Sequence, residues 1–316
     1  MRPWTNIDMQ VTTPLFIQGA KGDTELRASA IRGAMRFWFR ALMGGFIGPK
    51  STTREDINNA IKELARVEHL VFGSTDRTCP VSMRILHAPQ PRFDRAEMKE
   101  SEYLMGLGLR HPGPKHKVSP NRPCCPECRG YIPPEKHFTL SFRFPQNADG
   151  IAAMTLAALW LTCTYGGIGA RTRRGFGGVR IVHSDGPLPE PWTNENLRSP
   201  GLEFYKAARF LWPNETIGRC LVENQKDFLP RGASNSLWPD GPPFPILSKI
   251  HTITGISEST FKSSIAALSA ASKELRMFRA NERTRSGRYR TREWRTTIKG
   301  DRTDFPIGAL GLPVVF

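Results

Sequence analysis

The chain has 316 residues and a formal net charge of +16, from 45 Lys and Arg against 29 Asp and Glu. At roughly 150 residues per domain this length predicts two domains, and 39% hydrophobic residues, with 18 Phe and 7 Trp, exclude a disordered chain. The longest apolar stretch, Ile151 to Tyr165, is interrupted by Thr155, Thr162 and Thr164 and falls short of the roughly 20 residues a bilayer needs. With no apolar region after Met1 to suggest a signal peptide, and six cysteines that make no disulfide framework, the expectation is a soluble, cytoplasmic protein that binds a polyanion and no membrane.

Residues 6–17 alternate imperfectly (Ile7, Met9, Val11, then Leu15 and Ile17) and predict an opening strand broken at Pro14. A turn over Gly19 to Asp23 leads into a helix from Arg27 to Met43. Its apolar positions Ile31, Met35, Trp38 and Leu42 have helical spacing, and Gly44-Gly45 is expected to stop it. Arg32, Arg36 and Arg40, four apart, share one face of this helix. Phe37 and Phe39 put aromatic rings on more than one side, which suggests a helix buried between the sheet and another element or subunit. A second helix is predicted over Glu55 to Leu70 and a short strand over Val81 to His87.

The stretch from Ala88 to Pro134 is rich in Pro, Gly and charge and is expected to be a long insertion or loop. It carries the knuckle Cys125-Pro-Glu-Cys128, with Cys124 adjacent. His111 and His116 are near enough in sequence to complete a tetrahedral zinc site with Cys125 and Cys128. His137 and Cys79 are further candidate ligands. No second C-x₂-C is present, so the alternative is a reduced surface knuckle. Cys163 and Cys220 are expected to be buried cysteines without such a role.

His137 to Phe144 alternates Phe138, Leu140, Phe142 and Phe144, a half-buried strand. Asp149 is a potential cap for the Ala-rich helix Ile151 to Thr164. Then comes Gly166-Gly-Ile-Gly-Ala-Arg-Thr-Arg-Arg-Gly-Phe-Gly-Gly178, and a strand to His183. The loop lacks the Lys-Ser/Thr end of a mononucleotide loop, and it follows a helix where a dinucleotide fingerprint follows a strand. Exposed backbone amides together with Arg171, Arg173 and Arg174 suggest a phosphate cradle. The alternative is a flexible helix-to-strand connection.

Ser184 to Pro200 is Pro-rich and polar and is expected to be a linker. Beyond it, Gly201–Trp212, Ile246–Ile253, a helix over Glu258–Met277 and the terminal Gly308–Phe316 suggest a second, smaller α+β domain. Eight arginines lie between Arg276 and Arg295, opposed only by Glu282 and Glu293 and interleaved with Phe278, Tyr289 and Trp294. Guanidinium groups bind phosphate bidentately and aromatic rings stack on bases, so Arg283, Arg285, Arg288 and Arg290 are candidate nucleic-acid contacts. A solvated charged face is the alternative.

The element order is strand, helix, strand, strand, helix, strand, the βαββαβ ferredoxin-like unit. The expected organisation is α+β. A first domain spans residues 1–186, with an insertion at about 45–136, and a smaller ferredoxin-like domain spans 200–316. Catalysis finds little support: His87, His183 and His251 sit at or near strand edges, and no paired acid–base arrangement stands out.

Thr13-Pro-Leu-Phe-Ile-Gln-Gly-Ala20, the run Glu25-Leu-Arg-Ala-Ser-Ala-Ile-Arg-Gly-Ala-Met-Arg-Phe-Trp-Phe-Arg-Ala-Leu42, the glycine loop and Ala309-Leu-Gly-Leu-Pro313 together resemble the RAMP superfamily (repeat-associated mysterious proteins). Within it they look most like the first-numbered subunits of Cmr, type III-B, CRISPR effector complexes. The resemblance implies ferredoxin-like, RRM-type domains. It also implies a non-nucleolytic subunit at the head of the complex, near the 3′ end of the guide RNA, helping to capture target RNA. It requires no cofactor, and its partners are guide RNA, target RNA and the other Cmr complex subunits. It places Arg27, Ser29, Arg32, Arg36 and Arg40 along a basic groove, and Gly169, Arg171, Arg173 and Arg174 against the RNA backbone. The second reading within the superfamily is a stand-alone, metal-independent endoribonuclease that processes guide precursors with a His general acid and base. Its glycine loop would lie near the C-terminus, whereas here it sits mid-chain.

Overall fold

The computed structural model of the chain describes residues 2–19, 23–47, 51, 53–94, 96–106, 109, 129–198, 261–279, 282–283 and 289–290. The segments 201–212, 246–253 and 308–316, expected to belong to a second domain, lie outside the described residues. What is described is mixed α+β. It separates into two compact units, one holding residues up to Phe93 with 129–198, the other residues 94–109 with those after 260.

The first unit is built on a four-stranded antiparallel sheet of β1 (Trp4–Val11), β2 (Ser82–Leu86), β3 (His137–Arg143) and β4 (Val179–Asp185), in the order β2-β3-β1-β4. Alternation decides the two faces. Ile7 lies opposite Leu140, and Met9 opposite Phe138 on one side and Ile181 on the other, which gathers one apolar face. Asn6, Asp8, Thr139 and Ser141 project to the other, where Ser141 donates to Asn6 Oδ1 at 2.5 Å and Thr139 to Asp8 Oδ1 at 2.8 Å. A bulge between Asp8 and Met9 shifts the β1–β4 register.

The apolar face is covered by α1 (Ala28–Ile47), α2 (Arg54–Phe72) and α4 (Asp149–Thr164), which share a core with the strands. Helix α1 runs through Gly44-Gly45 instead of stopping there, because Met43 and Phe46 continue its buried side into the core. Every residue from Ala152 to Thr162 in α4 is buried, the signature of a helix covered all round. Thr53 caps α2, its hydroxyl accepting from the Asp56 amide at 3.3 Å. Asp149 is not the cap of α4. The cap position is Ala148, and Asp149 sits in the first turn, where it pairs with Arg2.

The stretch after β4, expected to be a linker, is packed as far as it is described. Trp192 and Leu197 are buried, the Trp192 indole Nε1 donates to Ala153 O of α4 at 2.9 Å, and Asn194 Oδ1 accepts from the Ser184 amide at 2.8 Å. Pro-rich polar composition concealed two large apolar anchors that strap the sheet's exit to α4.

In the second unit, a 3₁₀ turn (Ala96–Ser101), the short α3 (Glu102–Met105) and α5 (Ser264–Arg279) pack together. Met98, Met105, Leu104 and Leu268 are buried, and the Ser101 and Ser269 hydroxyls are 3.2 Å apart. Part of the expected insertion thus belongs with residues far along the chain. A two-residue antiparallel pair follows, β5 (Glu282–Arg283) with β6 (Tyr289–Arg290).

Replacing Trp192 by Ala removes both the buried ring and the bond to α4. It is expected to lower stability by about 3–5 kcal/mol, read as a shift in the urea midpoint.

Candidate nucleic-acid interface

The glycine loop is anchored, not slack. Strand β1 continues past Val11, and this continuation takes up the loop's backbone. Thr12 N donates to Gly178 O at 2.9 Å, Gly177 N to Pro14 O at 2.9 Å and Ala170 N to Phe16 O at 2.7 Å. Across the neck, Ile168 N donates to Gly177 O at 2.8 Å. Ile168 and Phe176 point inward and are fully buried, the Phe176 ring meeting Phe16 edge-on at 5.6 Å and Phe16 meeting Tyr131 at 5.6 Å. Two glycines are required by these contacts. A Cβ on Gly169 (φ +89°) would lie 2.2 Å from Phe16 O, and one on Gly177 (φ +70°) 2.0 Å from Ile168 O.

Beyond the neck the tip is a single 3₁₀ turn, Thr172–Arg174, entered through Arg171 at φ +63° and left through Gly175 at φ +84°. The amides of Arg174 and Gly175 close this turn on Arg171 O and Thr172 O. Several of the loop's amides, among them those of Ile168, Ala170, Arg174, Gly175 and Gly177, are thus bonded inside the chain. What the tip offers is side chains: Arg171 and Arg173 are exposed and Arg174 is half-buried.

The same continuation of β1 also holds Arg27. Its Nη2 donates to Gln18 O at 2.9 Å, and its Nε lies 3.9 Å from Glu25 Oε2, buried and without a hydrogen bond. The anchor points for the loop tip and for Arg27, Phe16 O and Gln18 O, are thus two residues apart. Helix α1 begins immediately after Arg27 and has no acidic residue in its first turn. Sequence separates Arg27 from Arg171–Arg174 by more than 140 positions, and the fold brings their supports together.

The remaining arginines of α1 have a different use. Glu68 of α2 is buried, and Arg36 Nε donates to its Oε1 at 2.5 Å while Arg40 Nε lies 3.4 Å from its Oε2. Arg36 also donates to Gly73 O at 3.1 Å, tying down the end of α2. One carboxylate thus binds two guanidinium groups, and these contacts join α1 to α2. Among the described residues Arg32 makes no hydrogen bond or ion pair, and Ser29 is exposed. Glu68 was not singled out by sequence reasoning, although a signal existed. It falls on the buried stripe Ala60, Leu64, Val67, Val71, and a carboxylate on a buried stripe requires a cationic partner.

Other expected residues are dispersed. Arg283 and Arg290 lie on β5 and β6, one register step apart, while Arg285 and Arg288 lie outside the described residues. So do His111, His116, Cys124, Cys125, Cys128, Cys220 and His251. Among the described residues no group of three or more His, Cys, Asp or Glu side chains could hold a metal ion. Cys79 donates to Val81 O at 3.2 Å, and burial pushes the Cys163 thiol up to about 12, so it stays protonated. His87 and His183 are exposed on β2 and β4 or their ends, the two opposite edges of the sheet, which keeps them from acting as a pair. No helix among the described residues is long and apolar enough to cross a membrane.

A sheet covered on one face by helices, with an arginine-tipped glycine loop locked to its first strand, defines an α+β glycine-loop domain. The chain belongs to the RAMP superfamily, whose sequence model matches residues 8–180. Two curated relatives are subunits from Pyrococcus furiosus. The chain is 26% identical to CRISPR system Cmr subunit Cmr1-1 over 168 residues, 52% of this chain and 43% of that one. It is 27% identical to Cmr1-2 over 185 residues, 55% of this chain and 92% of that one. The match thus spans less than half of the first relative and most of the second. Solved structures that resemble the chain include apo Cmr1 from Pyrococcus furiosus, with a TM-score of 0.44 at 19% identity, covering 74% of this chain and 80% of that one. A type III-B Cmr-β complex bound to cognate target RNA and AMPPnP gives 0.43 at 14% identity, covering 67% of this chain and 63% of that one.

Replacing Gly169 by Ala forces a side chain into Phe16 O at a positive φ. The loop is expected to leave its seat, seen as new protease cleavage between Ala170 and Gly175 while the sheet stays folded.

Proposed function

We propose that this chain is an RNA-binding subunit of a type III-B, Cmr-type CRISPR ribonucleoprotein, built from two ferredoxin-like, RRM-type domains and acting without nuclease chemistry of its own. In this reading it sits at the head of the complex near the 3′ end of the guide RNA, contacts neighbouring Cmr subunits and helps capture target RNA. The observation that carries the reading is the shared support of Arg27 and the loop arginines on residues 14–18. Arginines carried on elements that one backbone segment anchors suit a phosphate chain, because guanidinium groups bind phosphate bidentately. The names of the curated relatives as Cmr subunits support the complex, and the net charge of +16 supports a polyanionic partner.

Single-stranded RNA binding of the 316-residue chain, titrated with salt, tests this. Changing Arg171, Arg173 and Arg174 together to Ala is expected to weaken binding and reduce the slope of log K against log salt by about 2, at roughly 0.7 per phosphate contact. Unchanged affinity and slope would remove the loop from the interface. The same samples run on a gel report cleavage: products that vanish on changing His87 or His183 to Ala would replace this reading with that of a processing endoribonuclease.

We propose the knuckle Cys125-Pro-Glu-Cys128 with His111 and His116 as a structural zinc site. Metal analysis is expected to give about one zinc per chain, lost when Cys125 and Cys128 are both changed to Ser.

A further inference from the structure

Resting on the RNA-binding reading, we propose that Phe37 and Arg40 of α1 form a separate nucleotide seat, in which the Phe37 ring stacks on a base and the Arg40 guanidinium takes the adjoining phosphate. Phe37 is 46% exposed, unusual for a ring on a helix whose other large apolar residues are mostly buried. It is not loose. Its ring meets Trp38 edge-on at 5.5 Å, and Trp38 in turn leans on Tyr165 at 6.1 Å, so the platform is braced from below.

The residues around the ring leave room and supply charge. Gly33, four positions earlier on the same face, has no heavy atom within 4 Å of where a Cβ would stand, which leaves a flat space beside Phe37. Arg40, three positions later, is held through Nε by Glu68 at 3.4 Å and by Arg36 O at 3.3 Å. Its two terminal nitrogens make no hydrogen bond among the described residues. Glu68 therefore orients the guanidinium and leaves its outer edge open, the edge that binds phosphate bidentately. Helix α1 contains no Asp or Glu from Ala28 to Ile47, so no carboxylate on that helix competes with a phosphate.

The composition of the patch selects a nucleotide over an apolar protein surface. Gly33 and Arg40 are the exposed neighbours of Phe37 on its helix face, so a single exposed ring stands beside a cation, whereas a protein-docking site requires a contiguous apolar area. Base stacking on an exposed aromatic ring is tolerant of sequence, which suits a protein that holds RNA without reading it.

The test is binding of the 316-residue chain to a single-stranded RNA oligonucleotide over a salt series, with thermal midpoints recorded in parallel. Phe37→Ala is expected to weaken binding about tenfold, within the range for loss of one base stack, with the salt slope and thermal midpoint unchanged. Arg40→Gln is expected to lower the slope by about 0.7, the value for one phosphate on a single strand. Arg40→Lys, which keeps the charge and loses the fork, is expected to keep the slope and lose affinity. Phe37→Leu separates stacking from apolar packing: full affinity in Phe37→Leu with loss in Phe37→Ala would overturn the base-stacking seat in favour of an apolar contact. If the triple loop variant weakens binding while the Phe37 and Arg40 variants match the wild type, this seat falls and the RNA-binding reading stands. If the wild-type chain itself shows no salt-dependent RNA binding, both fall.

Discussion

The central constraint in this molecule is that one strand has two full edges of work. β1 lies inside the sheet, paired with β3 on one side and β4 on the other, and its continuation goes on bonding after the regular ladder has ended. Residues 11–18 bond in turn to the turn before β3, to Gly178 and Gly177, to Ile132, to Ala170 and to Arg27. A segment with few unused backbone groups has few ways to shift, because each displacement would leave buried donors or acceptors unpaired at about 1–3 kcal/mol apiece. The glycine loop and the start of α1 inherit that rigidity. They are loops and termini by position, yet they are bolted to the stiffest part of the sheet.

This explains why the loop is rich in glycine. Glycine there does not serve looseness, since Ile168 and Phe176 are buried in the core and the neck is hydrogen-bonded. It serves close approach: two backbones come so near at Phe16–Gly169 and Ile168–Gly177 that no side chain fits between them. The close approach also engages the amides of Ile168, Ala170 and Gly177. The tip places Arg171 and Arg173 beyond the neck, where both are exposed.

Much of the fold was legible because its signals are local. The alternation Phe138, Leu140, Phe142 fixed a strand, and the spacing Ile31, Met35, Leu42 fixed the helix that covers it. Three features were not legible in this way, each for a physical reason. Gly44-Gly45 has the composition of a stop, yet Phe46 beyond it gains more from burial than the glycines lose in backbone entropy. The Pro-rich stretch after β4 looks like a linker because composition averages over Trp192 and Leu197, and only two anchors are needed to strap it down. Asp149 has the chemistry of a cap but sits one residue inside the helix, where a first-turn carboxylate is equally well placed to meet a cation such as Arg2.

The candidate interface shows the same division between residue type and role. Arg32, Arg36 and Arg40 are indistinguishable in sequence, at equal spacing on one helix face. What separates them is a carboxylate on a different helix. Burying Glu68 without partners would be costly, so the fold surrounds it with guanidinium groups. Arg36, the less exposed, is engaged by both Glu68 and the Gly73 carbonyl and has become part of the joint between α1 and α2. Arg40, further out, is gripped only through Nε. A buried acid has thereby turned a uniform basic stripe into one structural arginine and one oriented arginine. Charge counted along a sequence overstates what a surface can offer a phosphate, because a guanidinium can offer only the nitrogens that the fold leaves open.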